Sequence, residues 1–387
     1  MATKANSVPI PTLIKGIHNR WHPDIPPFVS VKPGEANWTG AQIGNNDYSD
    51  DVKDVDLRKV HNLSGPIAVE GAEPGDCLVV DILDVTPFEK MPWGYTGIFE
   101  LTNGGSLLAR EFNSKACKAV WDFEGIYATS RHIPGVRFAG IPHPGLIGTA
   151  PSAELLATWN AREGALIAEH PNAVPAVAFA PHAVGTHVGQ DLDEKVRRKI
   201  AEEGARTIPG REHGGNCDIK NLSKGSRCYF PVFVKGANLS VGDLHFSQGD
   251  AGIITFKMSV IKDGIEKFAL KQPIFLPSPI DPVYSAKVIF EGIGVDYHGD
   301  GKQYNMDATV AYKQAAQNAI AYLMKVRNLL LSAAPIDSHI GALVDSPNAC
   351  VTLAIPTGIF DHDILPSPDG FTKKDFGQCA IRSDGVV

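Results

Sequence analysis

The chain has 387 residues, of which 43% are hydrophobic and 20% charged, and a formal charge of −7. This is the composition of a globular protein with enough chain for two or three units, not of a disordered one. The mild acidity and the lack of any basic block exclude the usual signature of a nucleic-acid or membrane-surface partner.

Residues Met1 to Val8 carry no long apolar run, so a secretory leader is not expected. Nowhere do about eighteen apolar residues follow one another, so no spanning helix is expected. The six cysteines, Cys77, Cys117, Cys217, Cys228, Cys350 and Cys379, are scattered without CxxC spacing. That usage fits a reducing compartment, and the cytoplasm is the expected location.

The 38 Gly and 28 Pro punctuate short apolar runs, which favours strands and turns over long helices. In chain order, Cys77 to Val85 reads as a buried strand after the turn Glu73-Pro74-Gly75-Asp76. Ser152 is placed to cap a helix from Ala153 to Glu163. Asp191 to Glu203 predicts a second helix, with Val196 and Ile200 on one side and Gly204 ending it. Arg227 to Val234 and Ile253 to Ile261 read as further strands, the latter turning at Lys262-Asp263-Gly264. The clearest helix runs from Asp307 to Lys325, with Val310, Ala311, Ala315, Ala319, Tyr322 and Leu323 in one stripe. The tail after Pro366 is polar and reads as peripheral or as an oligomer arm. The pattern predicts a mainly β protein, with a β-rich part over 1–255 and a smaller α+β part over 256–387.

Two segments concentrate chemistry. In Glu212-His213-Gly214-Gly215-Asn216-Cys217-Asp218-Ile219-Lys220, two glycines let the backbone turn and approach a small ligand. His213, Asn216, Asp218 and Lys220 supply a base or metal ligand, an amide, a carboxylate and a cation. An extended backbone from Asn216 would place Asn216, Asp218 and Lys220 on one face and Cys217 on the other, as core and not nucleophile. A polar turn, with Asp218 capping an amide and Lys220 solvated, fits the same residues.

In Val241 to Asp250, Asp243 and His245 stand at i,i+2, where a strand would aim both to one side to hold a divalent cation or a water. Gly-Asp pairs are equally common in turns. His143 is expected in a Gly/Pro loop, Gly140 to Gly148, that can wall a pocket. His18, His22, His182, His187, His298, His339 and His362 read as structural or surface residues. No nucleophile elbow, phosphate-binding glycine loop or H-E-x-x-H motif is present.

Several segments together resemble the acetamidase/formamidase family, its fungal-type branch in particular. They are His18-Asn-Arg-Trp-His-Pro-Asp24, Asn62-Leu-Ser-Gly-Pro-Ile67, Gly71 to Asp76, Ser130-Arg-His-Ile-Pro-Gly135, Phe138 to Gly145, Glu212 to Lys220, Gly242 to Asp250 and Cys379 to Asp384. The resemblance covers nearly the whole chain. It implies a family fold of β-sandwich or barrel units, a homo-oligomer, and hydrolysis of formamide, with acetamide slower.

On that resemblance, His213, Asp218, His245 and Asp250 are expected to surround the attacking water. A divalent metal such as zinc is a candidate cofactor, with His213, Asp218 and His245 as its ligands. Asn216 or the amides of Gly214 and Gly215 would stabilise the oxyanion, Lys220 would keep Asp218 ionised, and His143 and Gln248 would contact the small amide substrate. The chain departs from the family after Gln248-Gly249-Asp250, where Ala251-Gly252-Ile253 replaces the usual Gly-Glu. Shortened stretches near Glu35 and Lys325 are two further departures. Two rival classes remain, a non-catalytic β-rich binding or scaffold protein and a metal-dependent hydrolase of a larger amide or ester.

Overall fold

The computed structural model describes residues 8–9, 16–41, 52–53, 56–89, 91–105, 107–171, 181–246, 252–278, 280–283, 287–327, 337–341, 349–361 and 380–383. Two sheets dominate. The first has six strands in the order Val8–Pro9, Ala36–Ala41, Gly252–Ile261, Cys77–Pro87, Arg227–Pro231 and Ile274–Leu276. The second orders Gly210–Arg211, Gly214–Asn216, Pro142–Gly148, Leu239–Phe246, Leu63–Val69 and Ile17–His18, with Val29–Val31 also pairing to Leu63–Val69.

The main core lies between these sheets. Leu78, Val80, Ile82 and Phe256 of the first meet Ile67, Ile147, Leu239 and Val241 of the second, all buried. In Cys77–Pro87 the alternate residues Cys77 and Val79 pack outward with Leu270, so both faces are covered over the apolar start of the strand. Each such side chain contributes about 1.5–3 kcal/mol by leaving water.

Helices cover the edges. Ser152 accepts a hydrogen bond from the Leu155 amide and caps Ala153–Glu169. Leu156 and Trp159, one turn apart, are buried with Trp21, Leu63, Leu146 and Ala205. The second helix, Glu194–Glu203, starts later than the charge pattern suggests because Asp193 caps the Lys195 amide. Ala308–Arg327 packs on a three-stranded sheet of Lys287–Ile293, Asp337–Gly341 and Cys350–Pro356, burying Ala311, Ala315, Ala319 and Leu323. Gly292 permits that approach, since a Cβ there would run into the Ala311 and Ala315 backbone.

The border expected between 255 and 256 falls inside a strand. Thr255 pairs with Asp84 and Phe256 with Ile82, so the first sheet includes residues from both sides of it. The expected strand to Val234 stops at Pro231. Of the polar tail, Ala380–Ser383 pairs with Ile280–Val283, and the rest lies outside the described residues.

Candidate functional site

The central pair of the seven-stranded sheet positions the site. Pro142–Gly148 and Leu239–Phe246 run antiparallel with His143 directly opposite His245. His143 therefore sits on a strand, not in a loop. Asp243 lies two residues before His245 and has a positive φ of 50°, a sparsely populated conformation for a side-chain-bearing residue within a strand. Asp243 and His245 meet, with His245 Nε2 3.2 Å from Asp243 Oδ1.

Asp218 arrives from the other chemical segment. Gly214–Asn216 pairs with Pro142–Gly148, then the chain leaves the strand, with φ of 47° at Asp218. The Cys217 and Asp218 amides both donate to the Gly145 carbonyl, at 2.9 and 3.1 Å. This turn breaks the alternation that would have put Asn216, Asp218 and Lys220 on one face. Gly145 is also the floor of the site. A Cβ there would lie 2.9 Å from His245 Cε1, 3.0 Å from Asp218 Oδ1 and 2.8 Å from the Asp243 carbonyl oxygen.

The hydrogen-bond chain constrains the protons. A carbonyl only accepts, so His143 Nδ1 carries hydrogen and donates to the Ile141 carbonyl at 2.7 Å. Burial, and then the charge of His245, push His143 down to about 3, so it is neutral near pH 7. Its Nε2 is a bare acceptor, to which His245 Nδ1 donates at 3.2 Å. In a neutral His245 the remaining Nε2 would then be a lone pair facing a carboxylate oxygen. Two acceptors so close require a positive charge between or beside them, which either a proton on Nε2 or a bound cation supplies.

The carboxylates are pushed apart in acidity. Burial, and then the charge of Asp243, raise Asp218 to about 6 against the opposing effect of His245. Asp243 is also penalised by burial, but His245 and then His61 outweigh this and hold it below the usual carboxylate range. Ligand atoms of Asp218, Asp243 and His245 all lie within 4.8 Å of one another. One imidazole and two carboxylates form a donor set suited to zinc. His143 is the hydrogen-bonded partner that typically orients a ligating histidine.

The remaining expected site residues are placed differently. His213 stands apart from this group, with its side chain wholly buried between Trp21 and Trp159 at ring distances of 4.5 and 4.6 Å. Among the described residues neither of its ring nitrogens has a hydrogen-bond partner. Burial, and then Arg211, lower its basicity far below the ordinary value. It lies against Gly148, three residues and about 10 Å along the strand from Gly145. The geometry therefore does not bring His213 to the same water or cation as Asp218 and His245.

Gly214 and Gly215 belong to a strand bonded along both edges, which directs their amides into the sheet and not toward an oxyanion. Asn216 donates to the Ile208 carbonyl at 3.0 Å. Lys220 bears on the protonation of His143, and it is His245 whose positive charge opposes the rise at Asp218. Burial, and then Asp218, push the Cys217 thiol up to about 12, which is no nucleophile near neutrality. Gln248 and Asp250 lie outside the described residues.

Two members of the site were missed by pattern reading. Gly145 belongs to the quoted Gly/Pro stretch but carries no chemical group to attract notice. His61 immediately precedes Asn62-Leu63-Ser64-Gly65-Pro66 and places Nε2 3.8 Å from Asp243 Oδ2.

The sequence model described as "Acetamidase/Formamidase family" matches residues 8–362. A formamidase of Methylophilus methylotrophus is 54% identical over 377 residues, covering 92% of each chain. An acetamidase of Mycolicibacterium smegmatis is 51% identical over 333 residues, covering 80% of this chain and 81% of that one. Among solved structures, a γ-lactamase from Delftia acidovorans superposes with a TM-score of 0.87 at 49% identity, covering 96% of both chains. By sequence over most of its length, and by a mainly β architecture shared with that structure, the chain belongs to the acetamidase/formamidase family of amidohydrolases, which act on linear amides.

Proposed function

We propose that the protein is a formamidase, hydrolysing formamide to formate and ammonia by attack of an activated water on the amide carbonyl. The observation that carries this reading is the convergence of Asp218, Asp243 and His245 above Gly145, in a chain of this family. A pair of carboxylates with separated acidities is the arrangement that assigns acid–base roles. Asp243 stays ionised and holds the local positive charge. Asp218, raised to about 6, takes a proton from the attacking water and returns it to the departing nitrogen. The absence of a side chain at Gly145 lets Asp218, His245 and the Asp243 backbone close over it, which brings these groups together.

The donor set also fits a divalent cation such as zinc; with it bound, Asp218, Asp243 and His245 would be its ligands, and Asp218 would serve as a ligand in place of its acid–base role. That ion would supply Lewis-acid polarisation of the amide carbonyl. Gln248 and Asp250 remain part of the reading as further polar groups, since they follow His245 closely in the chain. Acetamide is the second substrate, supported by the 51% identity to an acetamidase.

The reading also includes a cytoplasmic homo-oligomer and no nucleic-acid or membrane partner. Free thiols at Cys77, Cys117, Cys217, Cys228 and Cys350 support the compartment. Ile274 and Leu276, exposed on an edge strand, support assembly. No helix of the described residues is long and apolar enough to cross a membrane.

The deciding assay is ammonia release from formamide by the purified chain, with acetamide and a γ-lactam in parallel and the bound metal measured on the same sample. Asp218→Asn and His245→Ala should each lower kcat on formamide by at least about 100-fold while remaining folded. A folded parent chain that releases no ammonia, or variants that match it, would sink the assignment.

A further inference from the structure

The strained Asp243 carboxylate is held from two sides, and the proposed chemistry uses one of them. Its Oδ1 faces His245. Its Oδ2 faces His61, and behind His61 stands Thr207, which is completely buried. We infer that Thr207 and His61 form a hydroxyl–imidazole arm that positions Asp243, with His61 Nε2–H aimed at Oδ2 and the Thr207 hydroxyl fixing the tautomer.

Thr207 Oγ1 accepts the His61 backbone N–H at 2.7 Å and lies 3.2 Å from His61 Nδ1. Having accepted one hydrogen bond, the hydroxyl has its own hydrogen to place. Among the described residues the acceptor within its reach is His61 Nδ1. Nδ1 is therefore the acceptor nitrogen of a neutral imidazole, and the hydrogen resides on Nε2. At 3.8 Å that N–H meets Asp243 Oδ2 as a dipole facing a charge, longer than a hydrogen bond.

The arm is anchored independently of the site. The Arg206 guanidinium, next to Thr207, donates to the Leu57 carbonyl, so the 206–207 and 57–61 segments are clamped at two adjacent points. A residue at φ of 50° in a strand persists when its surroundings over-determine it. His61 and Thr207 supply that restraint on the side of Asp243 away from His245. Neither touches the reacting atoms, so both are positioning residues. Orienting partners of this kind typically contribute 10- to 100-fold.

The inference rests on the amidase reading for its kinetic readout, so the test carries a second readout that does not. Formamide kinetics and melting temperatures are compared for Thr207→Val, Thr207→Ser, His61→Leu and His61→Gln, with crystal structures of the parent chain and Thr207→Val. Thr207→Val keeps the shape and removes the hydroxyl, and His61→Leu removes the donor. Each should lower kcat about 10- to 100-fold with little change in KM. Thr207→Ser and His61→Gln, which restore a hydroxyl and an N–H, should recover most of the loss.

In the Thr207→Val crystal the Asp243 carboxylate should be turned from its parent orientation. A Thr207→Val chain with the parent's kcat and a lower melting temperature would mark a merely structural role and overturn the inference. So would Thr207→Ser as damaged as Thr207→Val, or an unmoved carboxylate. If Thr207→Val does not fold, the His61→Leu and His61→Gln pair decides by the same criterion. A parent chain inert toward formamide would sink the formamidase reading alone, and the carboxylate's orientation would still decide this one.

Discussion

Replacing His213 and His245 by alanine should give opposite phenotypes. The His213 ring is wholly buried between two tryptophans, so His213→Ala leaves a cavity of aromatic size. Large-to-small changes of that kind cost about 3–5 kcal/mol. The variant also discards two buried nitrogens that lack partners, which returns roughly 1 kcal/mol. A net loss of about 2–4 kcal/mol remains. With an unfolding entropy of about 2.1 cal/mol/K per residue, a one-step transition of the 387-residue chain should melt roughly 3–5 °C lower.

Because Gly148, beside His213, is about 10 Å along the strand from Gly145, kcat on formamide should stay within about threefold of the parent's. His245→Ala should instead lose at least about 100-fold in kcat while remaining folded. Calorimetry and ammonia release on the same samples check both. A His213→Ala chain that melts like the parent yet loses activity as His245→Ala does would refute the separation of His213 from the chemistry.

Gly145→Ala places a methyl 2.9 Å from His245 Cε1 and 3.0 Å from Asp218 Oδ1, so it should cut kcat/KM for formamide by more than about 10-fold, measured by ammonia release. Asp218, raised to about 6, favours its protonated form in the folded state. Its contribution to stability is full below about pH 4 and is lost as pH rises through about 6. In chelator-treated protein, Asp218→Asn should therefore melt higher than the parent above pH 6, with the difference gone below pH 4. A difference that grew toward acid would contradict the shift. Glu163 grips the buried Arg211 through two hydrogen bonds of 2.7 and 2.9 Å. Glu163→Gln strands that charge and should cost about 3 kcal/mol in chemical denaturation, with a smaller change counting against it.

Much of the architecture was legible because it rests on local rules. Ser152 announces its helix by capping, and the alanine stripe of Ala308–Arg327 is buried as periodicity requires. Asp243 and His245 stand at i,i+2 and their side chains meet, but with Asp243 at a positive φ that the simple alternation of a strand does not contain. His213 was misplaced because its neighbours in sequence are polar and chemical, whereas its neighbours in space, Trp21 and Trp159, are 192 and 54 residues away in the chain. His61 and Thr207, 146 residues apart, are joined by the fold alone. Nor could the border at 255 be read, because the strand that crosses it pairs with a segment far upstream.

The places where alternation fails are the places where the chemistry collects. Asp218 and Asp243 both take positive φ, at 47° and 50°, and both leave the regular pleat just where their carboxylates converge. A regular strand through Asp218 would have continued the alternation and sent Asn216, Asp218 and Lys220 to one face. The turn instead ties the Asp218 amide to Gly145 and leaves its carboxylate beside a second negative charge. That juxtaposition opposes folding, as the weakened acidity of Asp218 records. Its physical return is a site where a positive charge is demanded, drawn close because residue 145 is glycine, and aligned through His143 and Ile141. A backbone that keeps two carboxylates together at such a cost is organised for a cation or for a proton in transit, and both serve the hydrolysis of an amide.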